Sequence, residues 1–167
     1  ECGYTTAMSF EHPHLSPGPP GTRTLRVRVA EEGRLPESAV LRLARELAEA
    51  LSWLHAAKRR HGRLTPDSIS FDAQGRAVLA LDAPAPDADK GWVPFEQGAG
   101  KATPSSDLYQ LGATLLFAAS GREPVSAGLP LAFRAPPELA DCSAPARELV
   151  EWLVEPRWDR RPPDAAA

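Results

Sequence analysis

The sequence predicts a mainly α-helical domain that carries a small β-hairpin and one N-terminal strand. Three observations lead there. Apolar residues recur at helical spacing in three stretches, between 36 and 54, 105 and 120, and 143 and 154. Two short apolar runs flank a polar, glycine-bearing connector at 72–75, which suits a hairpin. The 18 prolines, roughly twice the usual share, concentrate between these stretches, where they mark joints. A chain of 167 residues buries one core without disulfide staples.

Taken in order, Tyr4 to Phe10 is short, partly apolar and threonine-containing, and reads as the N-terminal strand. Residues 13–21 hold four prolines and two glycines, so this stretch is neither helix nor central strand and is expected to be a loop. Pro36 at a first helical position, followed by Glu37, opens a helix whose stripe is Val40, Leu43, Ala44, Leu47, Leu51 and Leu54. The basic run Lys58-Arg59-Arg60 is expected in the last turn of that helix, where cations favour the carbonyl end. Ser68–Phe71 and Ala77–Leu81 form the hairpin around Asp72-Ala73-Gln74-Gly75. A second helix from Ser105 carries Leu108, Leu111, Gly112, Leu115 and Ala119 and stops before Gly121. A third runs from Ser143, its N-cap, to about Val154.

Charge and cysteine content remove several function classes. Nineteen Lys and Arg against 22 Asp and Glu give a net charge of −3, with no basic block of the kind that reads nucleic acid or anionic membranes. The longest uncharged apolar stretch, Leu108 to Gly121, is too short to span a bilayer. Cys2 and Cys142 form neither a disulfide framework nor a metal-ligand spacing, which points to a reducing, cytoplasmic setting. His12 and His14 flank Pro13 without further ligands at zinc spacing. Ser, His and Asp are all available for a hydrolase triad, but no Gly-x-Ser-x-Gly elbow accompanies them. His55 and His61, six apart, would not share a helix face.

A set of motifs narrows the reading. Gly33-Arg34-Leu35-Pro36 leads into a long helix closing on Leu54-His55. His61-Gly62-Arg63-Leu64-Thr65-Pro66-Asp67-Ser68-Ile69 follows, then Val78-Leu79-Ala80-Leu81-Asp82, then Trp92-Val93-Pro94-Phe95-Glu96-Gln97. Ser106-Asp107-Leu108-Tyr109-Gln110-Leu111-Gly112 comes next, and Arg160-Arg161-Pro162 closes the series. In this order and spacing they resemble the C-terminal lobe of a eukaryotic-type (Hanks-type) serine/threonine protein kinase. The resemblance divides the chain into a hinge-like strand and proline-rich loop at 1–21, a kinase C-lobe-like domain at 22–162 and a tail at 163–167.

The resemblance assigns architectural roles to His61, Asp107, Glu96 and Arg161. His61 would pack beneath the catalytic loop, Asp107 would bond that loop's amides, and Glu96 would pair with Arg161. It also locates what has been lost. Where active kinases carry a catalytic Asp, a Lys and a metal-binding Asn, this chain has Arg63, Thr65 and Ser68. Arginine cannot act as a base, threonine brings no charge, and serine is a poorer metal ligand than an amide carbonyl. The Asp-Phe-Gly position reads Asp82-Ala83-Pro84, and one carboxylate alone does not hold magnesium. No glycine-rich phosphate loop or strand lysine precedes residue 24.

The expectation is therefore a catalytically inactive pseudokinase lobe, similar to kinase non-catalytic C-lobe domains, that serves as a protein interaction or scaffolding module in signalling. No cofactor is expected, ATP binding is not, and a protein partner or self-association is. The alternative is a fragment of a larger kinase-like enzyme whose N-lobe lies upstream or on another chain. The surface that an N-lobe would cover, at Phe10, Arg63 and Asp82, is the expected interaction face.

Overall fold

A computed structural model describes residues 12–21, 23–86, 91–124, 139 and 141–166. The fold is mainly helical with a small three-stranded sheet. In chain order it runs β1 (Leu15–Ser16), α1 (Leu25–Glu32), α2 (Glu37–Ala56), β2 (Ile69–Phe71), β3 (Ala77–Ala80), α3 (Phe95–Gly98), α4 (Pro104–Ser120) and α5 (Ala144–Leu153), with a 3₁₀ turn at Trp158–Arg160.

Helix α2 forms on the spacing that its stripe requires. Val40, Leu43, Ala44, Leu47, Ala50, Leu51 and Leu54 all point into the core. Pro36 is the N-cap residue, one position earlier than the first helical turn. The helix ends at Ala56, so Lys58, Arg59 and Arg60 lie beyond it rather than in its last turn. The chain turns sharply there, with Lys58 at φ +56°.

Every residue of α4 from Ser105 to Ala119 is buried, because α2 covers one side and α5 another. The close α4–α5 approach depends on Gly112. A Cβ at that position would lie 2.7 Å from Leu153 Cβ and 2.8 Å from Val154 Cγ1. Gly121 closes α4 in the left-handed conformation, its amide bonded to Phe117 O. Ser143 caps α5 by accepting from Ala146 N.

The hairpin pairs Ile69 with Leu79, Ser70 with Val78 and Phe71 with Ala77. Asp72 Oδ1 accepts from the amides of Gln74 and Arg76, and Gly75 takes φ +74°, so the connector's residue types build its turn. The third strand corrects the loop expected at 13–21. Leu15 and Ser16 run parallel to Leu79 and Ala80 as a two-residue edge strand, anchored by Leu79 N to His14 O and Leu81 N to Ser16 O. Proline tolerates this because only an edge is used. The strand expected at Tyr4 to Phe10 lies outside the described residues.

Candidate functional site

The site is organised by one carboxylate at the head of a buried helix. Asp107 sits in the first turn of α4 and is fully buried. Its Oδ2 accepts from the His61 amide at 2.8 Å and from His55 Nε2 at 3.0 Å, while Oδ1 accepts from the Gly62 amide at 2.7 Å. Three donors on one carboxylate compensate the cost of burying its charge. The Gly62 amide can point inward because that residue adopts φ +71°, a conformation glycine takes without steric cost. Gln110, one turn along α4, completes the clamp: its Oε1 accepts from Leu64 N at 3.1 Å. Gln97 Nε2 donates to Gly62 O at 2.9 Å. The 61–64 segment is thus held by side chains of α3 and α4.

His61 faces the sheet. Its Nε2 donates to Ala80 O at 2.9 Å, and its Nδ1 accepts from the Arg63 amide at 3.2 Å. Those partners assign the neutral Nε2–H tautomer. Burial pushes the imidazole pKa below its ordinary value, outweighing the opposing pull of the Ala80 carbonyl and Asp107.

A second buried charge cluster ties the segment after the sheet to the end of the chain. Glu96, on α3, meets Arg161 with Nη1 2.7 Å from Oε1 and Nη2 3.5 Å from Oε2. Both side chains are almost wholly enclosed. Arg161 also donates to Ser105 O and Pro156 O and lies 4.9 Å from the Tyr109 ring centre. Ser106 Oγ donates to Glu96 Oε1 at 2.9 Å, so the first turn of α4 serves both clusters. Burial raises the Tyr109 phenol pKa, and its hydroxyl donates to Gly91 O.

The remaining sequence-derived positions form the rim. Arg63 is exposed and donates through Nη1 to Ala83 O at 2.9 Å, bridging the 61–68 segment to the strand exit. Thr65 is buried. Ser68 is buried too, and its hydroxyl turns inward, donating to Thr65 O at 2.8 Å and accepting from Thr65 N at 3.0 Å. Asp82 is exposed just past β3. Phe10 lies outside the described residues, so only Arg63 and Asp82 of the expected interaction face can be located.

Several members of the site carry no motif of their own. His55 and His61 converge on one acceptor without sharing a helix face: one supplies a ring and the other an amide to Asp107. His55 Nδ1 in turn accepts from Ala165 N, which draws the tail into the network. Glu46, buried on α2, accepts from Ala77 N at 2.8 Å and joins the long helix to β3. A charged residue on an apolar helix face is the available signal for Glu46, and the Leu54-His55 pair that closes the long helix is the one for His55.

Known proteins share this arrangement of sequence. The probable serine/threonine-protein kinase PkwA of Thermomonospora curvata is 31% identical over 89% of this chain and 22% of its own length. Serine/threonine-protein kinases PknA of Corynebacterium glutamicum is 30% identical over 80% of this chain and 33% of its own length. Serine/threonine-protein kinase PknA of Nostoc sp. is 28% identical over 60% of this chain and 21% of its own length. The chain thus spans between about a fifth and a third of these curated relatives. No family model matches. Among the described residues no helix is long and apolar enough to cross a membrane.

Proposed function

We propose that this chain, which resembles the C-lobe region of bacterial Hanks-type serine/threonine kinases, is a non-catalytic pseudokinase lobe acting as a protein interaction or scaffolding module. The observation that carries the reading is Arg63. It stands where the family places its base, it cannot take a proton at working pH, and its side chain is engaged with Ala83 O.

The donor set does not suit a magnesium-bound nucleotide either. Ser68 occupies the metal-ligand place, but its hydroxyl is committed to both backbone groups of Thr65. Asp82 would then be the single carboxylate at that position, whereas magnesium asks for hard oxygen ligands in near-octahedral order. No step of phosphoryl transfer is derived for these residues. Arg63 and Asp82, both exposed, remain the face offered to a partner protein or a second copy.

A second reading has its own support. The matched relatives are three to five times longer than the stretch they share with this chain, which favours a lobe embedded in a larger kinase-like protein. The two readings part in a thermal-shift titration with ATP and magnesium. The non-catalytic lobe gives no shift at millimolar nucleotide. A rise of several degrees that Asp82→Ala abolishes overturns it in favour of surviving nucleotide chemistry.

A further inference from the structure

The side chains of Lys58, Arg59 and Arg60 are not what closes α2. The carbonyls of that helix's last turn have backbone partners: Trp53 O accepts from Ala57 N at 3.3 Å, His55 O from Lys58 N at 2.9 Å and Leu54 O from Arg59 N at 2.9 Å. Lys58 makes the turn at φ +56°, a left-handed conformation that glycine adopts without steric cost and lysine does not. The chain thus carries a cation where its backbone geometry favours glycine.

A second loop meets this one. Arg60 Nη1 donates to Ala102 O at 2.5 Å and Gln97 Nε2 to Gly62 O at 2.9 Å, which seats the 58–62 stretch against the loop between α3 and α4 that carries Lys101. Lys58, Arg59, Arg60 and Lys101 are all exposed. No Asp or Glu occurs between His55 and Asp67 or between Glu96 and Asp107, and Glu96 and Asp107 are themselves buried and matched by other donors. Among the described residues no carboxylate pairs with Lys58, Arg60 or Lys101, whereas Arg34, Arg76 and Arg157, exposed as well, each have one.

We infer that Lys58, Arg59, Arg60 and Lys101 form a docking surface for an acidic segment of a partner protein, whose Asp and Glu side chains supply the carboxylates that these two loops lack. Cations spread over two loops fit carboxylates spaced along a chain. The net charge of −3 opposes a long polyanion such as nucleic acid or an anionic membrane, whereas a short segment feels only charges within a Debye length, about 8 Å at physiological salt. The surface uses neither Arg63 nor Asp82, so its failure leaves the reading of a non-catalytic lobe untouched.

The test follows the fluorescence anisotropy of fluorescein-Glu-Asp-Glu-Asp-Glu-Asp-amide titrated with the full chain, with the Gln-Asn counterpart as control. Saturable binding of the acidic peptide that weakens as salt rises is expected, and none of the control. Lys58→Gly with Lys101→Gln should weaken binding by about tenfold or more. The urea midpoint of that double variant should stay level or rise, because glycine suits the left-handed position. Arg34→Gln with Arg157→Gln removes the same charge elsewhere and should change binding much less. Equal losses in the two double variants, binding unchanged by Lys58→Gly with Lys101→Gln, or no saturable binding by the parent chain overturns the inference. Tighter binding of a DNA duplex or of phosphatidylserine vesicles than of the peptide, lost in the same double variant, overturns it as well by making the ligand a polyanion.

Discussion

The base around Asp107 and the rim at Arg63, Thr65, Ser68 and Asp82 lie within one short segment of chain and its neighbours, yet they are built on opposite terms. In the base, a buried carboxylate is matched donor for donor by His55, His61 and Gly62, and a buried ion pair is wrapped by further acceptors. At the rim, the exposed groups are free of such demands, and the buried hydroxyl of Ser68 serves its own backbone. Groups that support the fold and groups that would support chemistry are therefore separable. An exposed rim position can change without disturbing its neighbour because exposed side chains cost little to exchange, while a buried network loses partners with every change.

That contrast can be broken most forcefully at the ion pair. Arg161→Met leaves Glu96 charged and enclosed, and should cost about 3–5 kcal/mol, the range for removing one partner of a buried pair. Urea unfolding measures it. A double-mutant cycle with Glu96→Gln should be non-additive, because Gln at 96 no longer leaves a stranded charge; additive effects would mean that the pair does not couple in solution.

Asp107→Ala should cost about 2–4 kcal/mol, since the amides of His61 and Gly62 lose their buried acceptor. Arg63→Ala, two residues further on, should leave the urea midpoint where it was. If the two variants unfold at the same midpoint, the distinction between base and rim fails.

The smallest effect is a pH dependence. The folded-state pKa of His61 lies below the ordinary 6.5, so the unfolded chain takes up the proton first as pH falls. The stability His61 contributes is complete above about pH 6.5 and declines as pH drops from there toward the depressed folded value. His61→Gln should flatten that part of the stability profile, read from unfolding midpoints between mildly acidic and neutral pH. A slope unchanged by the substitution would assign it to other groups.

The sequence by itself determined the elements whose own residues carry a period. The stripes of α2, α4 and α5 and the turn chemistry at 72–75 are local patterns, and each element forms where its pattern lies. Asp107 is legible as a carboxylate at a helix head, and the motif series around it as a kinase-like C-lobe. Tertiary structure alone decided the rest. Helix α1 lies in Leu25-Arg26-Val27-Arg28-Val29, an alternation of apolar and basic residues in which Leu25 and Val29, four apart, share one buried face. Edge strand β1 forms amid prolines because β3 offers it a partner 64 positions away in register, Leu15 to Leu79. His55 reaches Asp107 across 52 positions and receives Ala165 N across 110. Whether the Ser68 hydroxyl faces solvent or its own backbone depends on how the loop is clamped by Gln110 and Asp107. Residue type and spacing encode the face an element presents; which distant donor meets that face is settled only when the core closes and unpaired polar groups must find partners.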